Sequence, residues 1–434
     1  VTIAHMRRED RNPAEEFVKS ARNAALGQGD QNIFNDAPAI RRRQVERHVP
    51  IHAEAIEIAT ISTVVDEIVT VEDFAQFRKF KSRSSCPIPA IPAWATLVLQ
   101  QCRAINRATT RVLKDKALIA LQLLPTLFLP SGANHHRILQ HLHNGTPFNV
   151  RHRRTFSEAI TDDRERLSKT VTRLAYDFKI RQAVNIMQTA AESNEEMPFE
   201  DKMRLLREKF LHRETVLEEA TLATTIPFNT IAVRKAIKSI PNNAANCIDG
   251  WSPALLRQAI STLPDIADEI GFIAAQINDS QFGTLAMDII RAGRLVAVPK
   301  PTGGIRPITI SSFFAKLTGT LIWIKTRPRC SQYQFAIGKK RGCERIIHST
   351  RKALAEGRAV IRIDVVNAFN HANRARIQQL INGMDPDIMS YFQTMYGPKA
   401  KLFVYGPSEI DMVEFEEGVR QGDAFSGFFF CLLM

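Results

Sequence analysis

The stretch LVAVPKPTGGIRPITI, residues 295–310, predicts a β-hairpin. Leu295–Pro299 and Ile305–Ile310 are short runs rich in β-branched and apolar residues, which favour strands. Between them, Gly303-Gly304 is a pair that favours a tight hairpin turn. Two short strands joined by this turn are therefore the starting point for predicting the rest of the fold.

The hairpin also carries two cations near its turn. Lys300 lies just after the first strand and Arg306 lies on the second. Such a pair can clamp a triphosphate from both strands, because both side chains donate charge-assisted hydrogen bonds to phosphate. A surface hairpin with two charges is equally ordinary, so the two cations alone do not define a function.

Further elements are predicted on both sides of the hairpin. Ser252-Pro253 is a helix start, because serine caps the helix and proline occupies its first position. Helices are predicted at Phe313–Lys325, Glu344–Leu354, Arg374–Leu380 and Asp387–Met395, and strands at Ala359–Asp364, Lys401–Tyr405 and Met412–Phe415. Residues 94–225 are typical of helices, with one helix face predicted from Leu167, Val171, Leu174 and Phe178. The predicted fold class is α+β, with many helices before a small sheet.

Positive charge is concentrated in one window of the sequence. The 434-residue chain has a net charge of +13. Residues 290–362 hold 16 lysines and arginines against Glu344 and Glu356, a net of +14, so the remainder is close to neutral. Such a distribution is typical of a polyanion-binding surface, although a solvated basic face gives the same pattern.

The spacing of the cysteines, the clustering of the histidines and the length of the apolar stretches limit the possible classes of protein. The six cysteines include no CxxC pair, so neither a zinc finger nor a disulfide framework is predicted. A reducing, intracellular setting is therefore expected. No apolar stretch is long enough to span a bilayer, so no membrane partner is expected. The cluster formed by His135, His136, His141 and His143 is predicted to be a polar helix face rather than a metal site.

A carboxylate closes the predicted strand in IRIDVVNAFN, residues 361–370. A strand end would hold Asp364 rigidly at a sheet edge. Mg²⁺ prefers hard oxygen ligands and usually takes one or two carboxylates, so Asp364 is a candidate ligand. An aspartate in this position is also a common turn residue or helix cap.

A glycine-rich loop, GVRQGDAFS, spans residues 418–426. Its two glycines, Gly418 and Gly422, permit a tight turn and a close approach of the backbone to a ligand. The apolar run after the loop predicts a buried helix. By itself this pattern fits any glycine-rich turn.

In this order, the motifs resemble the conserved blocks of reverse transcriptases of the non-LTR retrotransposon type. Lys300, Arg306 and Lys316 match the fingers hairpin and the lysine that follows it. The other matching blocks are NCIDG at 246–250 with LLR at 255–257, QF at 334–335 with Gly338 and GC at 342–343, Asp364 with Ala368-Phe369, and the loop at 418–426. The resemblance covers roughly residues 240–434.

The resemblance implies a right-hand polymerase built from four regions. Residues 1–85 would be a poorly defined basic N-terminal segment and 86–225 a mainly helical N-terminal domain. Residues 226–360 would form the fingers, and 361–434 would form an incomplete palm. The implied activity is that of an RNA-directed DNA polymerase, which adds dNTPs to a DNA primer on an RNA template, with a DNA target, in an intracellular, nuclear setting.

The resemblance also implies roles for individual residues. Two Mg²⁺ ions would activate the primer hydroxyl and stabilise the leaving pyrophosphate. Asp364 would be catalytic and would bind both ions, assisted by the backbone carbonyl of Val365. The dNTP would contact Lys300, Arg306, Val365, Phe369, Gln421 and Gly422. The aromatic ring of Phe369 would clash with a 2′-hydroxyl and so select deoxynucleotides, although without the motif Phe369 is equally a plain core residue.

Two departures from the family pattern affect the prediction. Gly427 stands where the family usually has proline. The chain ends at Met434, before the xxDD hairpin that supplies the other catalytic carboxylates, so it is expected to be a fragment. Since one aspartate cannot hold two Mg²⁺ ions in the required geometry, this chain is predicted not to polymerise DNA. The alternatives are an intron maturase-like reverse transcriptase and a non-catalytic RNA-binding remnant of a retroelement.

Overall fold

The computed structural model describes residues 59–77, 82–148, 168, 171–172, 197–213, 216–218, 224–241, 245–300, 304–337, 339–406 and 409–434. Three members of the predicted helix face, Leu167, Leu174 and Phe178, lie outside these residues. The same holds for Gly303 of the predicted turn and for Gly338.

The first described part of the chain is helical, and this includes two helices before residue 86, in the segment that the sequence left poorly defined. The helices are α1 (Ala59–Asp66), α2 (Val71–Gln76), α3 (Ile91–Arg107), α4 (Arg111–Phe128), α5 (His135–His143) and α6 (Phe199–Arg207). Side-chain caps start several of them. The hydroxyl of Thr110, for example, accepts a hydrogen bond of 3.3 Å from the Leu113 amide at the start of α4. Helices α3 and α4 contact each other and bury their apolar faces in the core.

Four more helices of the described residues lie between α6 and the hairpin: α7 (Thr230–Ser239), α8 (Pro253–Thr262), α9 (Ile266–Asn278) and α10 (Thr284–Arg291). The predicted start of α8 is confirmed, since Ser252 caps the helix and Pro253 is its first residue. Two buried tryptophans connect α8 to the first helices. Trp94 of α3 donates to the Leu255 carbonyl, and Trp251 donates to the Leu121 carbonyl of α4.

The sheet has four strands in the order β2-β1-β3-β4. The predicted hairpin is confirmed as β1 (Gly293–Pro299) paired antiparallel with β2 (Ile305–Ser311). The second predicted pair is confirmed as β3 (Ala400–Tyr405) with β4 (Ile410–Phe415), also antiparallel. A short parallel pairing of β1 with β3 joins the two hairpins. Strand β2 therefore lies at the edge of the sheet.

The remaining helices agree closely with the sequence-based expectation. They are α11 (Phe313–Thr326), α12 (Gly342–Ala355), α13 (Arg374–Ile381), α14 (Pro386–Tyr396) and α15 (Ser426–Leu433). The carboxylate of Asp249 accepts a hydrogen bond of 2.6 Å from the Phe313 amide, so a buried charge lies at the positive end of α11. This contact connects the NCIDG segment to the helix that follows the hairpin.

The predicted strand at Ala359–Asp364 is wrong. These residues have no regular structure, and the side chains of Ile361 and Ile363 are 83% and 79% exposed. A strand is stable only when its backbone pairs with a neighbour. Among the described residues no strand pairs with this segment, so it does not form a strand despite its high β-propensity.

The prediction of a mixed helix and sheet fold is confirmed, with most described elements helical and one small sheet. Aromatic residues pack together in the core, where the Phe429 ring centroid lies 5.3 Å from that of Phe392 and 5.5 Å from that of Phe425. In the described part of the chain, none of the helices combines the length and the apolar character that crossing a membrane requires.

Candidate functional site

Backbone hydrogen bonds join two of the motifs that the sequence singles out. The Val419 amide donates to the Phe369 carbonyl at 2.7 Å, and the Gly418 amide donates to the Ala372 carbonyl at 3.1 Å. Gly418 has a φ of +81°, and a Cβ atom there would overlap the Asn370 carbonyl. The start of the 418–426 loop is therefore held against the segment that follows Asp364.

Phe369 lies half-buried at this junction. Its ring stacks on Phe430 of α15, with centroids 5.3 Å apart and planes at 21°. Two residues earlier, Asn367 has a φ of +50°, a backbone conformation that asparagine tolerates better than most residues. The chain thus turns sharply between the exposed Asp364 segment and Phe369.

The other half of the loop lies against the edge strand β2. A Cβ atom at Gly422, whose φ is +102°, would be 3.4 Å from the Thr309 carbonyl oxygen. Gln421 and Gly422 line a cavity of about 170 Å³, together with β2 and with Lys316 of α11. The structure therefore brings the 418–426 loop, Phe369 and the hairpin strand into one neighbourhood.

Lys316 lies half-buried beside the loop. Burial lowers the pKa of its ammonium group, and the nearby Asp423 carboxylate partly opposes that shift. Asp423 in turn accepts a hydrogen bond of 2.9 Å from the hydroxyl of Tyr391. Burial, reinforced by Asp423, raises the pKa of Tyr391 well above its usual value. A partly desolvated cation and a carboxylate thus lie side by side at the loop.

Sequence reasoning missed a buried arginine beneath the loop. The guanidinium of Arg374 donates to the carbonyls of Gly418, Tyr396 and Phe415 at 2.9, 2.8 and 3.5 Å. It also lies 4.5 Å from the centroid of the Phe415 ring. Burial lowers its pKa to about 9, and the Glu417 carboxylate opposes this shift. Arginine is mostly exposed in proteins, so no local pattern pointed to this role.

Not all of the predicted site residues contact one another in the structure. Asp364 and Val365 are exposed, and Asp364 makes no ion pair within the described ranges. Lys300 is half-buried, and its amide donates to the Gly304 carbonyl at 3.0 Å across the turn. Arg306 is exposed opposite Val298 on the hairpin. The two cations thus occupy the tip of the hairpin, as the sequence predicts.

Much of the basic window forms an open surface. Some of its cations are paired: Arg291 with Asp288, and Arg358 with Glu356. Others are exposed and make no ion pair with the described part of the chain, namely Arg306, Arg327, Arg329, Lys340, Arg341, Arg345, Arg351 and Arg362. Unpaired cations attract polyanions more strongly than paired ones, since their charge is not compensated.

The residues that the structure describes do not form a two-magnesium centre. Nowhere among them do three His, Cys, Asp or Glu side chains come together in an arrangement that could bind a metal ion. Asp364 would contribute a single carboxylate, which is fewer than a pair of divalent ions requires. The four histidines of α5 are likewise no metal group. His141 stacks on Phe148 with ring centroids 3.7 Å apart.

Compared with known protein families and with curated proteins, the chain matches none.

Proposed function

We propose that this chain is the N-terminal part of an RNA-directed DNA polymerase, and that it binds the template strand and the incoming dNTP. The proposal is supported mainly by one relationship: the 418–426 loop contacts the Phe369 segment at one end and strand β2 at the other. The motifs are far apart in sequence, and a nucleotide site needs them together.

The position of the positive charges on the hairpin also supports the proposed binding of a nucleotide. Lys300 and Arg306 lie on either side of the hairpin turn, where they would neutralise a triphosphate. Gln421 and Gly422 line the cavity beside β2, and Phe369 follows the exposed Asp364 segment by a few residues. In this proposal Asp364 and the Val365 carbonyl are the Mg²⁺ ligands that this chain contributes.

The described residues do not fit a two-magnesium centre, so we assign no catalytic step of DNA polymerisation to them. We expect the 434-residue chain to bind RNA and nucleotide without extending a primer. A primer-extension assay with Mg²⁺ and dNTPs tests this, and incorporation of nucleotide by the chain alone would contradict it.

RNA binding is tested by its dependence on salt. Each phosphate contact to a single strand contributes about −0.7 to the slope of log affinity against log salt concentration. Replacing both Arg345 and Arg351, two exposed cations of the basic window, by alanine should therefore make the slope shallower by about 1.4 if each contacts a phosphate. Lys399→Ala is the control, because Lys399 lies outside the basic window and pairs with Glu414 at 3.0 Å.

The second candidate function is a non-catalytic RNA-binding remnant, which the exposed basic surface favours. Nucleotide selectivity distinguishes the two. In the presence of a primer–template, calorimetry should show tighter binding of a dNTP than of the matching ribonucleotide, and Phe369→Val should reduce that preference. Salt-dependent RNA binding with no preference between the two nucleotides would favour the remnant. An intron maturase-like enzyme would share all these properties.

A further inference from the structure

Two half-buried cysteines lie together beside the last turn of α15. Cys431 belongs to this helix, and Cys330 belongs to the chain that follows α11. The side chain of Cys431 forms a hydrogen bond with the side chain of Cys330, although the two residues are far apart in sequence. Both residues are partly exposed, so a small molecule in solution can approach them. Adjacent accessible thiols can exchange with a disulfide in solution.

The packing of α15 supports this contact independently. Gly427 and Cys431 are at positions i and i+4 of the helix, so they lie on one face. A Cβ atom at Gly427 would lie 2.7 Å from the Cδ1 atom of Ile337, so the chain that leads from Cys330 to Ile337 passes over this face. The two ends of that segment therefore contact successive turns of the same helix face.

The backbone at Cys330 can adjust to a covalent bond. Residues 327–331 have no regular structure. A disulfide holds its two sulfur atoms about 2 Å apart, which is closer than two hydrogen-bonded thiols lie. Irregular backbone can absorb this small movement. Cys431 meanwhile stays on a helix that is held in place, since its Phe428 ring lies 6.2 Å from the Trp323 ring of α11.

The other four cysteines have no such neighbour. Cys86, Cys102 and Cys247 are buried, and burial raises the pKa of each thiol, so little thiolate forms at neutral pH. Cys343 is exposed and makes no hydrogen bond to another thiol within the described ranges. Of the six cysteines, the contact between Cys330 and Cys431 is therefore the one suited to an internal disulfide.

We propose that Cys330 and Cys431 are a reversible oxidation site, at which a small disulfide such as oxidised glutathione converts the two thiols into an internal disulfide. The Cys330 thiolate attacks one sulfur of oxidised glutathione, which releases one glutathione thiolate and leaves a mixed disulfide on Cys330. The Cys431 thiol loses its proton to water and attacks the Cys330 sulfur, which releases the second glutathione. Two protein thiols are thus oxidised, and one oxidised glutathione is reduced to two thiols. Burial raises the pKa of Cys431, so this thiol forms less thiolate and attacks second.

The disulfide fixes α15 to the segment that follows α11. Phe430, the residue before Cys431, stacks on Phe369 with ring centroids 5.3 Å apart. Oxidation therefore also restrains the helix on which Phe369 packs. This inference goes beyond the proposed function and does not depend on it, because it concerns two thiols that belong to none of the sequence motifs.

The test exposes the reduced 434-residue chain to increasing ratios of oxidised to reduced glutathione. Free thiols are then blocked by alkylation, and the digested chain is analysed by mass spectrometry without reduction. A peptide that joins Cys330 to Cys431 should accumulate, whereas Cys343 should carry glutathione. Excess dithiothreitol should return both thiols of the pair to the reduced form.

Substitutions of single cysteines provide the controls. Cys330→Ser and Cys431→Ser should each abolish the joined peptide and leave the remaining thiol bound to glutathione. Cys343→Ser is the matched control and should leave the joined peptide unchanged. Oxidation should raise the melting temperature of the unaltered chain and of Cys343→Ser by about 2–5 °C, because a disulfide restricts the unfolded chain. The other two variants should not show this rise.

The unaltered chain alone can overturn the proposal, even if a variant fails to fold. Glutathione on Cys330 or Cys431 without the joined peptide, at ratios that fully modify Cys343, would overturn it. Dimers on a non-reducing gel, with no internal disulfide in either chain, would do the same. RNA binding is measured separately by its salt dependence, so the proposed function can fail while this inference stands.

Discussion

The backbone amide of Val419 donates a hydrogen bond of 2.7 Å to the carbonyl oxygen of Phe369. This bond joins a glycine-rich loop to a segment about fifty residues earlier in the chain. Because both partners are backbone atoms, substitutions of either side chain leave the bond possible. The junction therefore depends on backbone geometry, and above all on the glycine that precedes Val419.

Gly418→Ala should destabilise the protein more than a strained backbone alone would. Alanine at a φ of +81° costs about 1–3 kcal/mol, and its Cβ would also overlap the Asn370 carbonyl. Gly357→Ala is the control, because Gly357 has a φ of +74° and a Cβ added there would meet no described atom within 4 Å. Urea unfolding measures the free energy of unfolding of both variants. Equal losses of stability would show that the close approach to Asn370 has no energetic effect.

Arg374→Met should destabilise the fold by about 2 kcal/mol or more, since each buried acceptor left unsatisfied costs about 1–3 kcal/mol. The substitution leaves three carbonyls without this donor and removes the cation that the nearby Glu417 carboxylate stabilises. Arg376→Met on the same helix is the control, since Arg376 is exposed. A loss below about 1 kcal/mol for Arg374→Met would mean that the guanidinium is not buried as described.

Cys247 should make stability fall at alkaline pH. Burial raises the pKa of its thiol from 9.0 to about 12. Between these values the unfolded chain releases a proton that the folded protein keeps, so the free energy of unfolding falls as pH rises, by up to about 1.4 kcal/mol per pH unit. Below pH 9 this contribution to stability is fully present.

The measurement compares urea unfolding of the protein and of Cys247→Ala at pH 8, 9, 10 and 11. Arg374 titrates in the same range with the opposite sign, because burial lowers its pKa, so only the difference between the two proteins isolates the thiol. That difference should shift in favour of Cys247→Ala above pH 9. A constant difference across the series would contradict the raised pKa.

Ile363→Thr should have little effect on stability, within about 0.5 kcal/mol, because its side chain is 79% exposed. Ile377→Thr on α13 is the matched control, since Ile377 is fully buried and its loss should cost more than about 1 kcal/mol. Melting temperatures compare the two variants. If Ile363→Thr were as damaging as Ile377→Thr, residues 359–364 would be packed as the strand that the sequence predicts.

Sequence alone was sufficient for elements whose signals are local. The hairpin follows from β-branched runs around a glycine pair, and the start of α8 follows from Ser252-Pro253. The strand at 359–364 was predicted wrongly, because a strand also needs a partner, which β-propensity does not reveal.

The same distinction applies to the site. The two glycines of the 418–426 loop could be recognised from spacing, and both have positive φ angles. Arg374 could not be recognised, because its importance comes from burial among residues distant in sequence. A charged or small polar residue gives the same local signal whether it faces solvent or the core.

The unpaired segment near Asp364 has a practical consequence for handling the protein. Arg358 and Arg362 are exposed in backbone without regular structure, and such backbone is readily accessible to proteases. Brief trypsin treatment should therefore nick the chain at these residues. The two pieces should still elute together from a sizing column, because β1 on one side of the nick pairs with β3 on the other.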